Sequence, residues 1–184
     1  MKITNLNKSF NNKIIFKNAS FDFENKKITY IMGESGIGKT TLLRIISGLD
    51  TDFTGDLDAT GRISYVFQEP RLFPSLTLIE NIKIVNESSS KDPNELLDLV
   101  ELNGCANMYP HELSGGMKAR ASIARALYFG ADLILMDEPF ASIDTEMKNR
   151  IAKRIFSLLS EKTVIVVSHD ENEAKEFADK ILKI

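Results

Sequence analysis

The chain has 184 residues, 43% of them hydrophobic and 27% charged, with a formal net charge of −3. That composition suits one globular domain with a substantial core, and the acidic balance gives no general electrostatic case for nucleic acid. A lone cysteine, Cys105, excludes an intrachain disulfide or a cysteine metal cluster and suits a reducing compartment.

No apolar run approaches membrane-spanning length, and Met1-Lys2-Ile3-Thr4-Asn5 begins no signal peptide. Work at a membrane is therefore expected to pass through a partner. The first thirty residues read as β-structure, with Ala19, Phe21 and Phe23 alternating against Ser20, Asp22 and Glu24. Asn11-Asn12 signals a turn between Phe10 and the apolar run Ile14-Ile15-Phe16. By periodicity alone Phe10 reads as core; as an exposed loop aromatic it would offer a face for stacking on a base.

A buried strand over Lys27 to Met32 leads into Gly33-Glu34-Ser35-Gly36-Ile37-Gly38-Lys39-Thr40, which fits the phosphate-binding pattern G-x-x-x-x-G-K-[ST]. Thr41 and the apolar positions Leu42, Leu43, Ile45 and Ile46 then have the spacing of a helix laid on a sheet, starting near Lys39. The residue types explain the chemistry. Glycines let successive N–H groups turn inward around an anion, and a helix N-terminus adds unpaired N–H groups at the same place. Lys39 suits the β- and γ-phosphates and the Thr40 hydroxyl suits Mg²⁺. A glycine-rich turn that binds nothing would not need this lysine and threonine in register.

Gly48 to Gly61 reads as a polar connection, and Ile63 to Phe67 as another buried strand ending at Gln68-Glu69-Pro70. Gln68 stands at a strand's carboxyl end, where open sheets place ligand groups. Residues 71 to 112 change character, with helical pieces over Leu78 to Val85 and Asn94 to Leu102 and Asp92-Pro93 as cap and first turn of the second. Leu113-Ser114-Gly115-Gly116-Met117 opens a helix through Tyr128, either a tight helix entry or a second anion seat.

Leu133 to Met136 reads as a fully buried strand that ends in Asp137-Glu138-Pro139. Adjacent carboxylates there must be hydrated, paired or metal-bound. Asp144 caps a helix over Thr145 to Leu159 with Met147, Ile151, Ile155, Leu158 and Leu159 as its core stripe. A buried strand over Thr163 to Val167 ends at Ser168-His169-Asp170, a helix follows over Glu171 to Ala178, and Ile181 to Ile184 forms a last edge strand.

In order and spacing the set resembles the ATP-binding-cassette (ABC) ATPases over essentially the whole chain. Gly33 to Thr40 matches the Walker A loop, Gln68 the Q-loop, Leu113 to Met117 the signature motif and Leu133 to Glu138 the Walker B strand with its catalytic glutamate. Ala141-Ser142-Ile143-Asp144 matches the D-loop, His169 the switch histidine and Phe10 the aromatic A-loop position, which reverses the core reading of Phe10. The resemblance implies an α/β fold with a P-loop NTPase core of ABC type, an N-terminal antiparallel β-subdomain and a small helical insertion. It implies a single ABC ATPase domain over residues 1–184, with the helical subdomain at about 71–128.

It also implies roles. Thr40, Gln68 and Asp137 would hold Mg²⁺, Glu138 would act as general base, Lys39 and His169 would contact the γ-phosphate, and Phe10 would stack on adenine. Gly33 to Thr41 would hold ATP while Ser114, Gly115, Gly116 and Met117 complete the site of a second, identical copy, giving an ATP-dependent head-to-tail dimer. Phe67 to Pro74 and Pro110 to Met117 look like the nitrate, sulfonate, taurine and thiamine-precursor importer ATPases. That likeness implies transmembrane permease subunits met through residues 71 to 85, with Leu72, Phe73 and Leu76 as anchors, and indirectly a solute-binding protein. The place implied is cytoplasmic, at the inner face of the cell membrane. Other cassette readings are an exporter or lipoprotein-type ATPase and a soluble cassette of DNA repair or translation. The short interval from Gln68 to Ser114 leaves no room for a coiled-coil arm, which disfavours the last. Relatives commonly continue for further helices beyond the switch histidine.

Overall fold

The computed structural model describes residues 1–11 and 13–184. Strands β1 (Lys2–Phe10), β2 (Lys13–Asp22) and β4 (Thr54–Asp58) form an antiparallel sheet in the order β2-β1-β4. Strands β3 (Ile28–Met32), β5 (Ile63–Val66), β6 (Leu133–Asp137), β7 (Thr163–Val167) and β8 (Lys180–Lys183) form a parallel sheet in the order β5-β6-β7-β3-β8. The helices are α1 (Lys39–Ile46), α2 (Leu78–Lys83), α3 (Pro93–Leu99), α4 (Gly115–Phe129), α5 (Thr145–Leu158) and α6 (Glu171–Phe177), with a 3₁₀ turn at Pro110–Glu112. Asn11 stands in a turn, and Asn12 of the expected Asn-Asn pair lies outside the described residues.

The central parallel strands β3, β6 and β7 are buried on both faces because both faces are covered, whereas the edge strands β5 and β8 are only partly so. Alternation sends Tyr30, Met32, Ile134, Met136, Val164 and Val166 to one side, where they pack with the helices α2 to α6. Ile31, Leu133, Leu135, Ile165 and Val167 point to the other side. There Leu42, Leu43, Ile45 and Ile46 of α1 fill the space between them and Ile3, Leu6, Phe16 and Phe23 of the antiparallel layer. The helix carrying the phosphate loop is thus clamped between two sheets.

β4 replaces part of the expected polar connection over Gly48 to Gly61. Its sequence Thr-Gly-Asp-Leu-Asp has a single half-buried apolar side chain, Leu57, so it carries no hydrophobic period; pairing with β1 makes it a strand. The antiparallel layer is irregular where Asn5 and Asn18 adopt positive φ of 53° and 49°. Asn7 spans the irregularity, its Oδ1 accepting from the Asn18 N–H at 2.8 Å and its Nδ2 donating to the Asn5 carbonyl at 2.8 Å. In α5 the buried residues are Ile151, Ala152, Ile155 and Phe156, with Leu159 buried just beyond the helix, while the expected core residue Leu158 is exposed. At about 100° per residue the buried face centres between Ile155 and Ala152, and Leu158 lies roughly 90° away from it.

Two polar fixings matter for the helical part. Arg120 of α4 is buried and donates to the carbonyls of Val100 and Glu101 at 2.8 and 2.5 Å, closing the C-terminal end of α3. Asn81 is fully buried in α2. Its Oδ1 accepts from the Phe73 N–H at 2.7 Å and its Nδ2 donates to the carbonyls of Phe73, Leu76 and Thr77 at 3.1, 3.0 and 3.0 Å. That one side chain sets the course of the loop between β5 and α2.

Asn81→Ala is expected to lower the unfolding free energy by about 1–3 kcal/mol in urea titrations, because the Phe73 N–H and the Leu76 carbonyl lose their partner. At the edge of the parallel sheet, Asp179 accepts the Ile28 N–H at 2.9 Å and pairs with Lys27 at 3.0 Å. The backbone donor first, and then Lys27, holds its carboxyl below the usual range. The resulting stability is present above the unfolded carboxylate value of about 3.9 and is lost as pH falls through the lower folded value. Asp179→Asn should therefore melt below the wild type at pH 7 and converge with it in acid, a comparison made by thermal melts from pH 7 down to pH 2.5.

Candidate functional site

Parallel neighbours deliver their carboxyl ends to one edge of the sheet. Gly33 follows β3, Gln68 stands two residues past the end of β5, Glu138 follows Asp137 at the end of β6, and Ser168 and His169 follow β7. A cleft of about 230 Å³ opens there, lined by Phe10, Ser35, Gly36, Gly38 to Thr41, Gln68, Asp137 and Glu138, with Ile15 and Val167 as apolar walls. A larger depression of about 410 Å³ lies at the opposite end of the strands. Most of its charges already pair among themselves, Lys26 with Glu161 at 2.9 Å and Lys162 with Asp132 at 3.9 Å. The convergent groups left to meet a ligand are in the smaller cleft.

Gly38 forms the N-cap of α1 with φ 120°, and a Cβ there would fall 2.6 Å from Ile15 Cγ2. Only glycine fits both demands. Among the described residues α1 has no side-chain cap and no acidic residue in its first turn, so its leading N–H groups face the cleft with their partial positive charge unanswered. Lys39 folds back over the loop, its Nζ donating to the carbonyls of Gly33 and Glu34 at 2.8 and 2.9 Å. Gly33 is needed for a different reason: a Cβ would collide with the carbonyl oxygen of Ile184, which pairs beside Met32.

Asp137 is buried, and burial pushes its carboxyl above the usual range. Its Oδ2 accepts from the Tyr65 hydroxyl at 3.3 Å, while Oδ1 is buried without a hydrogen-bond partner among the described residues. An orphaned carboxylate oxygen beside the Thr40 hydroxyl and the Gln68 amide is an oxygen-donor set of the kind a hard divalent cation with retained waters would satisfy.

Glu138 adopts a left-handed φ of 48°, and its N–H donates to the Val167 carbonyl at 2.9 Å. Its Oε2 lies 2.9 Å from His169 Nδ1. The imidazole is otherwise open, 74% exposed. The turn beneath it is anchored: Asp170 caps α6 by accepting from the N–H groups of Asn172 and Glu173 at 2.9 and 3.1 Å, and its own N–H donates to Ser168 Oγ at 3.1 Å.

Phe10 is 46% exposed at the cleft rim, so its side chain is not core. A residue that ends a strand at a hairpin tip keeps the strand's alternation but has no layer opposite it. Lys8, buried and paired to Asp50 at 2.9 Å, sits 4.4 Å from the Phe10 ring centroid. Gly33, Glu34 and Ile37 belong to the loop but do not line the cleft. Ser114 to Met117 are also absent from it. Ser114 caps α4 by accepting from the Met117 N–H at 3.2 Å, Gly115 faces open space, and a Cβ on Gly116 would fall 2.8 Å from the Ser142 carbonyl. Within one chain the signature segment therefore touches the 141–144 loop and leaves the phosphate loop to others. Sequence reasoning did not single out Tyr65, Ile15 or Val167 for the cleft; each is an ordinary strand residue whose role comes from the element next to it.

Residues 16–141 match the sequence profile of the ABC transporter family. The aliphatic sulfonates import ATP-binding protein SsuB 2 of Pseudomonas syringae pv. tomato is 36% identical over 180 residues, covering 95% of this chain and 78% of that protein. The Fe(3+) ions import ATP-binding protein FbpC 2 of Pectobacterium atrosepticum is 36% identical over 204 residues, covering 99% of this chain and 59% of that one. Among solved structures, the dimeric structure of MJ0796, a bacterial ABC transporter cassette, superposes with a TM-score of 0.87 at 32% identity, covering 100% of this chain and 93% of the other. A post-hydrolysis state of the same cassette bound to ADP and Pi superposes with a TM-score of 0.86 at 31% identity, with the same coverage. A match over most of the chain, in sequence and in backbone alike, places it: the protein belongs to the ABC transporter family, as one of its ATP-binding cassettes.

Proposed function

We propose that this cassette hydrolyses ATP to power solute import through separate permease subunits, with Mg²⁺ as cofactor. The observation that carries the chemistry is the 2.9 Å contact between Glu138 and His169 at the mouth of the phosphate-loop cleft. Residues 1–184 act as one ATPase domain whose helical subdomain spans about 71–128. The N–H groups of the Ser35 to Thr41 segment and the Lys39 ammonium hold the phosphates, and Phe10 stacks on the base from the rim. Thr40, Gln68 and Asp137 would hold the cation, which would supply charge neutralisation for the phosphates.

Glu138 takes the proton of the attacking water as the new P–O bond forms. The bond from the γ-phosphorus to the bridging oxygen breaks, leaving ADP and inorganic phosphate. His169 bears on the charge that develops on the γ-phosphoryl oxygens and keeps the Glu138 carboxylate turned toward the water. Ser114, Gly115 and Gly116 stand away from their own cleft, so a second copy supplies them, and two cassettes enclose two nucleotides across a twofold axis. Hydrolysis removes the γ-phosphate that bridges the copies and lets them part.

Of the expected anchors on the loop that Asn81 fixes, Phe73 is exposed and would meet the permease, while Leu72 packs against the core and Leu76 is half-buried. Among the described residues no helix is long and apolar enough to cross a membrane, which accords with a cassette held peripherally at the cytoplasmic face. The sulfonate-importer relatives support a permease of the nitrate, sulfonate, taurine and thiamine-precursor type.

Glu138→Gln is expected to lower ATP turnover by about 10²–10⁴-fold. With Mg-ATP its mass by light scattering should move from one copy to two. A variant that stays monomeric at saturating ATP, or that turns over normally, would overturn the reading.

A further inference from the structure

The hydrolysis scheme leaves a partly buried ion cluster around Lys148 without a task. Lys148 lies one turn into α5 and is 13% exposed, and its ammonium pairs with Asp170 in direct contact and with Glu173 at 3.7 Å. Glu173 is 4% exposed in its side chain and accepts a hydrogen bond from the Tyr30 hydroxyl at 3.1 Å, linking the cluster to β3, the strand that delivers the phosphate loop. Burying such groups is costly unless each keeps its partners, so the arrangement is an unlikely accident of a solvent-facing helix.

Its position carries the argument. Asp170 immediately follows His169 and also caps α6, so whatever holds Asp170 holds the turn that presents the imidazole. Lys148 comes one turn after Asp144, which caps α5 by accepting from the Met147 N–H at 3.0 Å and ends the 141–144 loop. That loop in turn touches Gly116 of the signature segment. Among the described residues no other basic side chain pairs with Asp170. Further along, α5 and α6 are joined by an apolar contact, Phe156 against Phe177 with ring centroids 5.1 Å apart. Apolar packing at the far end keeps the helices docked; the ionic end sets where the histidine stands.

We infer that Lys148 is a positioning residue for the reaction: its clamp on Asp170 and Glu173 locks the His169 turn to the 141–144 loop, so the histidine and the loop touching the signature segment move as one piece. His169 meets Glu138 through a single 2.9 Å contact and is otherwise exposed, so its aim depends on the backbone below it. A displacement of about 1 Å at that distance is enough to cost up to about 10²-fold in rate. The role rests on the reading of His169 given above, and the two can fail separately.

The test uses Lys148→Met and Lys148→Arg in the full chain. Lys148→Met should lower kcat about tenfold with KM for ATP unchanged, and Lys148→Arg, which keeps the charge and can still reach both carboxylates, should restore most of it. The chain has only two histidines, His111 and His169, so the His169 ring resonance is identified by comparison with His111→Gln. It should shift in Lys148→Met and return in Lys148→Arg, which a loss of stability alone would not produce. If Lys148→Met fails to fold because Glu173 is left unpaired, the double variant Lys148→Met/Glu173→Gln removes that charge and carries the same comparison. An unchanged kcat and an unmoved resonance in a folded variant would overturn the clamp while His169→Ala remains inactive. Normal turnover in His169→Ala would instead overturn the reading of the histidine.

Discussion

A parallel sheet buried on both faces leaves a polar side chain almost nowhere to stand except at the strand ends, and this constraint organises the molecule. Ile31, Leu135 and Ile165 are consumed by packing on α1, and Tyr30, Met136 and Val166 by packing on the opposite helices. What remains polar is pushed to the carboxyl edge, where Asp137 and Glu138 line the cleft of the phosphate loop and His169 reaches it through Glu138. The site is a product of the core's refusal of charge.

The cleft then balances two kinds of charge without letting them cancel. On one wall stand the uncapped N-terminus of α1 and the Lys39 ammonium, both suited to an anion. On the other stand the Asp137 and Glu138 carboxylates, the first with a buried oxygen that has no hydrogen-bond partner among the described residues. Lys39 is held by carbonyls of its own loop and does not pair with either acid. A polyanion together with a hard cation satisfies both walls at once, which neither does alone. The same accounting explains the clustered ions at Lys148, where every charge does find its partner and the outcome is rigidity.

Much of this was legible in the linear chain because the decisive signals are local. The glycine pattern of the phosphate loop, the apolar run into Asp137-Glu138 and the Asp144 cap each depend on residues within a few positions of one another. Where the reading missed, a distant partner decided. β4 is a strand only because β1 lies beside it, and Leu158 lies outside the core because the layer α5 meets is centred on Ile155 and Ala152. Phe10 was ambiguous for the same reason: its period says strand, but nothing in the chain says whether another layer covers the tip.

The sequence by itself determined the family of chemistry, the succession of motifs along the chain and the identity of nearly every group at the cleft, since backbone freedom, charge and hydrophobic period are properties of short segments. Tertiary structure alone decided which groups meet. It brought Tyr65 to Asp137 and Lys148 to Asp170, and it left the signature segment on the 141–144 loop instead of at its own phosphate loop. Those pairings depend on strand order and helix register, which emerge only when separate segments share a core.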